Sequence, residues 1–195
     1  MPDESIVTFL GSPRENGRTA KLLTEVVAGA QSVGMYVKKY HLNDSAIKGC
    51  QNCGYCRTKY GCPTKDGLTQ MYDDIAAATA VVFATPCVFF QISGQSKLWL
   101  DRTFPMIGGV PGARHPQVPG KKVIALYTQG TTDADMFRPV IEGMNRIFGT
   151  YGWTVTACLL ASGGDVEGTP SFKELLRQAH AAGAALAGPK AQTLL

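Results

Sequence analysis

"AVVFATP", Ala80 to Pro86, is apolar up to Thr85 and shows no polar alternation. A strand with one wet face alternates; a strand without alternation is buried on both faces, as in a parallel sheet covered by helices. Its neighbours fit. "GLTQMYDDIAAATA" before it has helical spacing, and "ISGQSKLWLDRTFPM" after it reads as a single helix. Nearer the N-terminus, "SIVTFLGSPR" is an apolar run ending in a glycine turn. "RTAKLLTEVVAGAQSVG" then places Leu22, Leu23, Val26, Val27 and Ala30 on one helical face, with Gly34 as a stop. "MYVKKYHL" reads as a strand. Beyond the Gly- and Pro-rich stretch Pro105–Gly120, "KKVIALYTQG" and "WTVTACLLAS" are strands; "DADMFRPVIEGMNRIFGTYG", with Pro139 near its first turns, and "SFKELLRQAHAAGAALAG" are helices.

Five strands alternating with five helices imply a parallel sheet with right-handed crossovers and helices on both faces. The expected fold is α/β: a flavodoxin-like three-layer sandwich with a five-stranded parallel sheet of order 2-1-3-4-5, one domain across residues 1–195. Ligands of such sheets bind beyond the C-terminal strand ends, where the order reverses between strands 1 and 3. That selects the loops after Leu10, Thr85 and Tyr127.

Composition narrows the function. The chain has 195 residues and a net charge of +4, with no basic stripe interleaved with aromatics, so nucleic acid is not the expected partner. "MPDESIVTFLGS" lacks the basic and apolar regions of a secretory signal. The most apolar run, Ala76–Phe90, is too short to span a bilayer and contains Pro86, so no membrane span is expected. A cytoplasmic location follows, where thiols stay reduced and clustered cysteines point to metal or redox chemistry.

The first loop, "GSPRENGRT" (Gly11–Thr19), is neither a Walker A nor a G-x-G-x-x-G sequence. It offers Ser12, Asn16 and Thr19 side chains, a permissive Gly17, and the free N–H groups of a helix start, a phosphate site in the making; Arg14 and Arg18 add charge. A capped helix start with two solvated arginines is the plainer alternative. The second loop, "TPCVFFQISGQSK", carries Val88, Phe89 and Phe90 where a loop is ordinarily polar, which suits a flat ring system or a lid on the core. "TQG", Thr128–Gly130, adds a hydroxyl, an amide and a glycine.

Four of the six cysteines lie in "CQNCGYCRTKYGC", spaced C-x2-C-x2-C-x5-C, with Gly54 and Gly61 allowing a tight backbone. Two-residue gaps are compact, ferredoxin-type spacing. Zinc sites more often pair two C-x2-C units across a longer gap. The loop follows the second strand, which suggests a position near the first loop.

In this order, "GSPRENGRT", the four-cysteine loop, "ATPCVFF" followed by "GQSKLWLDR", and "TQG" resemble the iron–sulfur flavoproteins, flavodoxin-fold relatives of the NADPH-dependent FMN reductases. The resemblance covers Ser5 to about Gly130. It implies FMN in the crevice, with Ser12, Arg14, Asn16, Gly17, Arg18 and Thr19 at its phosphate. Pro86, Cys87, Val88 and Phe89 would line the isoalloxazine, with Thr128, Gln129 and Gly130 on its other side. It implies a [4Fe–4S] cluster on Cys50, Cys53, Cys56 and Cys62, which exposed sites lose in air. It further implies NAD(P)H or ferredoxin as donor, a small-molecule acceptor such as a quinone or flavin, and a homodimer or a tetramer of dimers. Cys87 departs from the plain residue expected there and is read as a filler. No catalytic triad is expected, because the cofactor carries the chemistry. The rival readings are a non-enzymatic electron carrier, a plain FMN or quinone reductase without a cluster, and a zinc protein without flavin.

Among smaller features, Asp73 and Asp74 read as a solvated helix face and His115 as a surface loop residue. Lys97 and Asp101 form an i,i+4 pair, Trp99 is core or interface, and Cys158 packs beside a strand.

Overall fold

In the computed structural model, residues 4–43, 47–59, 61–107 and 118–187 are described. The elements run β1 (Ser5–Leu10), α1 (Arg18–Ser32), β2 (Tyr36–His41), α2 (Met71–Ala77), β3 (Ala80–Val88), β4 (Gln91–Ile92), α3 (Gly94–Arg102), β5 (Lys122–Thr128), α4 (Arg138–Thr150), β6 (Thr154–Ala161) and α5 (Pro170–Ala184). Strands β2-β1-β3-β5-β6 lie side by side in that order, all parallel, and the two-residue β4 folds back antiparallel on β3. With β4 set aside this is the expected flavodoxin-like 2-1-3-4-5 order.

Strand side chains alternate between two cores, as the pleat requires. Val7, Phe9, Val81, Phe83, Val123, Ala125 and Tyr127 face α2, α3 and α4. Ile6, Ala80, Val82, Ala84, Ile124 and Leu126 face α1 and α5. Because β1 and β3 are covered on both sides, neither carries the polar alternation of a half-wet strand. At the edge of the sheet, β2 leaves Tyr36 and Lys39 exposed.

Trp99 anchors the first core. It is fully buried, stacked on Phe83 at 5.0 Å and tilted against Phe9 at 4.8 Å. Trp99 is therefore core in its own chain. On the opposite face α1 and α5 meet backbone to backbone. A Cβ at Gly29 would lie 2.0 Å from His180 O, and one at Gly183 2.0 Å from Val26 O.

The single helix expected over Ile92–Met106 is three pieces. Ile92 ends the β3–β4 hairpin, α3 runs from Gly94 to Arg102 behind a Ser93 cap, and Phe104–Met106 form a separate 3-10 turn. Pro105 cannot donate the backbone hydrogen bond that would continue α3. The helix expected from Gly67 begins at Met71. His115, and Pro105–Gly120 from residue 108 to 117, lie outside the described residues.

Candidate functional site

The three loops selected from the sequence converge at the C-terminal ends of β1, β3 and β5, and they are bonded to one another. Gly11 N–H donates to Ala84 O at 2.8 Å. The Ser93 hydroxyl donates to Gly11 O at 2.7 Å, and Ser96 Oγ donates to Thr85 Oγ1 at 2.8 Å. Pro86 is in register with Thr128. The hydroxyls of Thr19 and Thr128, both buried, lie 2.7 Å apart and join the first loop to the third. Gly11 admits this closeness because it has no Cβ; one would lie 1.8 Å from Ser96 Oγ.

Within the first loop Ser12 is buried, its hydroxyl accepting from Arg14 N–H at 3.1 Å. Pro13, Arg14, Glu15 and Asn16 are exposed. Gly17, not Ser or Asn, caps α1, and no side chain takes the capping hydrogen bond. The amides of the first turn have no intrahelical acceptor and carry the positive end of the helix dipole. Behind the loop, a His41 ring nitrogen lies 2.9 Å from Ser12 O.

The Arg18 guanidinium is bonded within the chain. It donates to Gln129 O at 2.7 Å, to Asp165 O at 2.9 Å and to Ser162 O. It thereby ties the first loop, the third loop and the β6–α5 turn into one floor. Burial alone would raise the Asp165 pKa. The Ser171 and Ser162 hydroxyls, Ser162 N–H and the Arg18 charge override this and hold the carboxyl below its ordinary value. The sequence reading missed this turn and the Thr85–Ser93–Ser96 hydroxyl network. Its one local signal is a Ser three residues before another at a helix start.

The second loop projects Val88, Phe89 and Phe90 into solvent, 55%, 91% and 59% exposed. Phe89 and Phe90 have φ of 46° and 61°. Left-handed backbone is costly for bulky residues and clusters where function over-determines it. Phe90 tilts against Phe137 at 5.5 Å. Cys87 is buried, and desolvation pushes its thiol up to about 11, so it stays protonated and fills space.

The crevice suits a flavin phosphate by a test internal to the chain. Gln129 is buried; its Nε2 donates to Thr131 O and Asp133 O, while its Oε1 has no partner among the described residues. A buried acceptor left open where the first and third loops meet is a place for a ligand donor. Together with the helix-start amides and the exposed apolar tip, it matches a group that is anionic at one end and flat at the other.

The cysteine loop starts beside this crevice, but its thiols are not there. The chain descends the outer side of α3: Asn43 accepts from Gln95, Gly49 lies against Leu98, and Lys48 O accepts from Arg102. The α3 helix begins against Gly11 and ends at Arg102, about 12 Å away at 1.5 Å per residue. Cys50, Cys53, Cys56 and Cys62 all line one cavity of about 650 Å³ at that far end, against Leu100, Ile147 and Tyr151. The expected proximity to the first loop is thus corrected. Cys50 and Cys53 are exposed, and Cys56 and Cys62 are half-buried. Burial first, and the neighbouring cysteine sulfurs after it, raises the Cys56 pKa. Among the described residues no three ligating side chains are gathered as a metal ion would require. The donor set suits a cluster, and left-handed Asn52, Gly54 and Gly61 mark where the loop turns.

The family model for NADPH-dependent FMN reductase matches residues 5–165. The chain belongs to that family. An iron–sulfur flavoprotein of Archaeoglobus fulgidus is 30% identical over 99 residues, 51% of this chain and 45% of that one. Another, MJ1083 of Methanocaldococcus jannaschii, is 26% identical over 101 residues, 52% of each chain. The chain spans about half the length of these curated relatives. Among solved structures, an NAD(P)H:quinone oxidoreductase from Methanothermobacter marburgensis superposes with a TM-score of 0.71 at 18% identity, covering 97% of this chain and 100% of that one, a likeness of fold. Among the described residues no helix is long and apolar enough to cross a membrane.

Proposed function

We propose that this chain is an FMN-dependent NAD(P)H oxidoreductase whose flavin occupies the crevice between the first, second and third loops. The observation that carries the reading is the buried Gln129 Oε1, without a partner among the described residues, one residue from the Thr19–Thr128 tie. Ser12, Asn16, Gly17 and Thr19 hold the phosphate with the first-turn amides, and Arg14 adds charge. Arg18 contributes its N–H there, while its guanidinium keeps the floor rigid. Pro86, Cys87, Val88 and Phe89 flank the ring on one side and Thr128, Gln129 and Gly130 on the other. When bound, FMN supplies hydride and one-electron chemistry; the chain binds, orients and excludes water.

Cys50, Cys53, Cys56 and Cys62 are assigned to a [4Fe–4S] cluster that exchanges electrons with the flavin, after the loop draws its thiols inward. NAD(P)H or ferredoxin is the donor, a small molecule the acceptor, and a homodimer or tetramer the working form. The names of the archaeal relatives and the shared cavity support this assignment.

The test is anaerobic. FMN binding is followed by quenching of its fluorescence, NAD(P)H oxidation by absorbance, and iron and sulfide by analysis. Thr19→Val is expected to weaken FMN binding about tenfold, the scale of one hydrogen bond to a charged group. Cys56→Ala is expected to lose iron and keep FMN. Failure of wild type to bind FMN overturns the first assignment, and failure to hold iron after reconstitution overturns the second.

A further inference from the structure

The last residue of α3 carries a dense set of hydrogen bonds away from the crevice. Arg102 is 1% exposed. One guanidinium nitrogen donates to Lys48 O at 2.9 Å and to Asp66 Oδ2 at 2.7 Å. The other donates to Thr64 O at 3.2 Å and to Asp66 Oδ1 at 3.3 Å. Asp66 is 5% exposed and also accepts from Lys48 N–H and Leu68 N–H. Lys48 stands two residues before Cys50 and Thr64 two residues after Cys62. One planar cation therefore joins both ends of the segment that carries the four thiols. Tyr72 OH donates to Arg102 O at 2.6 Å and holds the same corner from α2.

Two further facts direct this cation at the thiols. Arg102 lines the cavity that all four cysteines line. Its Nε is buried and has no acceptor among the described residues. A buried donor on a charged group is expensive to leave open; the Asp101 carboxylate in the same lining is already taken by Lys97, and the cysteine sulfurs are the other acceptors at hand. Arginine cannot shed its charge.

We propose that Arg102 is a positioning residue that closes the neck of the cysteine loop and holds a fixed positive charge against the thiolates, thereby setting the reduction potential of the cluster they carry. This rests on the cluster assignment. Each one-electron reduction adds negative charge to a thiolate-bound cluster, so a fixed cation favours the reduced form and raises the potential. Asp66 offsets that cation; removing the carboxylate charge leaves it uncompensated.

The experiment has two arms. In protein without iron, the rate at which a thiol reagent modifies the loop cysteines is compared in wild type, Arg102→Gln and Arg102→Lys. Opening the neck is expected to speed modification of the half-buried Cys56 and Cys62 about tenfold in Arg102→Gln, with rates compared at equal thiolate fraction. Arg102→Lys restores the rate only in part, because lysine lacks the two-pronged fork. In protein reconstituted without oxygen, the cluster midpoint is read by EPR-monitored titration. Asp66→Asn is expected to shift it upward. The double variant Arg102→Gln/Asp66→Asn, neutral at this site like wild type, returns it toward the wild-type value. A loop that is merely loosened leaves the double variant at least as displaced as Asp66→Asn, and that result, or a downward shift in Asp66→Asn, overturns the charge role. Equal modification rates overturn the neck role. If Arg102→Gln does not fold, Arg102→Lys and Asp66→Asn decide the two arms. If wild type holds no iron, the cluster assignment fails and the charge role with it, while the thiol arm still decides the neck.

Discussion

Gly11→Ala tests the packing that brings the first and second loops together. The new Cβ would stand 1.8 Å from Ser96 Oγ and 3.1 Å from Ser93 Oγ and Ser96 Cβ. Ordinary contact begins at 3.4 Å, so something must yield by about 1.6 Å. Ser96 is buried at the start of α3 and donates to Thr85 Oγ1, so it yields only by breaking that bond. Overpacking costs about 1–3 kcal/mol and a lost buried hydrogen bond about 1 more. A loss near 3 kcal/mol lowers the melting temperature of a domain this size by roughly 6–12 °C. FMN binding should weaken in parallel, because Gly11 opens the loop proposed to hold its phosphate. Ser96→Gly removes the obstructing Oγ and Cβ. In that background Gly11→Ala should cost under about 1 kcal/mol, a coupling that only touching residues give. The assay is thermal unfolding of the four-member cycle, with FMN titration of each. A drop of less than about 2 °C for Gly11→Ala, or full additivity with Ser96→Gly, refutes the reasoning.

Gly183→Ala drives a Cβ to 2.0 Å from Val26 O, a backbone atom that cannot swing aside, so urea unfolding should show a loss of about 2–3 kcal/mol with FMN affinity unchanged. For Asp66, burial favours the neutral acid, but Arg102 and the N–H groups of Lys48 and Leu68 outweigh it and lower its pKa. Its contribution is therefore complete above the ordinary carboxylate pKa of about 4 and fades as pH falls through the lowered folded value. Asp66→Asn should cost most near pH 7 and progressively less below pH 4, checked by urea midpoints at both. Light scattering at micromolar concentration should find more than the 20.8 kDa of one chain, since Val88, Phe89 and Phe90 are left in water by a single copy.

The sheet order was legible because β1, β3 and β5 are buried on both faces, and such strands read as unbroken apolar runs. The crevice was legible for the same reason: sheet order alone fixes which three loops meet. The task of Arg18 was not, since its acceptors lie 111 to 147 residues further on. Nor were the left-handed Phe89 and Phe90, because no local propensity assigns that backbone to phenylalanine. The cysteine loop was placed too near the phosphate loop because adjacency in sequence stood in for adjacency in space. Its path down α3 is set by Asn43, Gly49 and Lys48, whose partners on α3 lie far away in the chain.

The two rims of the sheet differ in how they meet a stranger. Along β2, Lys38 and Lys39 break any flat apolar ribbon, so a second chain approaching from that side meets charge. Along β6, from Thr154 to Ala161, there is no charged residue; Thr154, Thr156 and Cys158 are the exposed ones, and the register slips once between Val123 and Ile124. That slip twists the rim and discourages edge-to-edge growth. What protects this side from aggregation is geometry, which survives only while β6 stays folded onto β5. Under heat or denaturant, intermolecular clumping should therefore begin there, and a lysine at Thr156 should delay it.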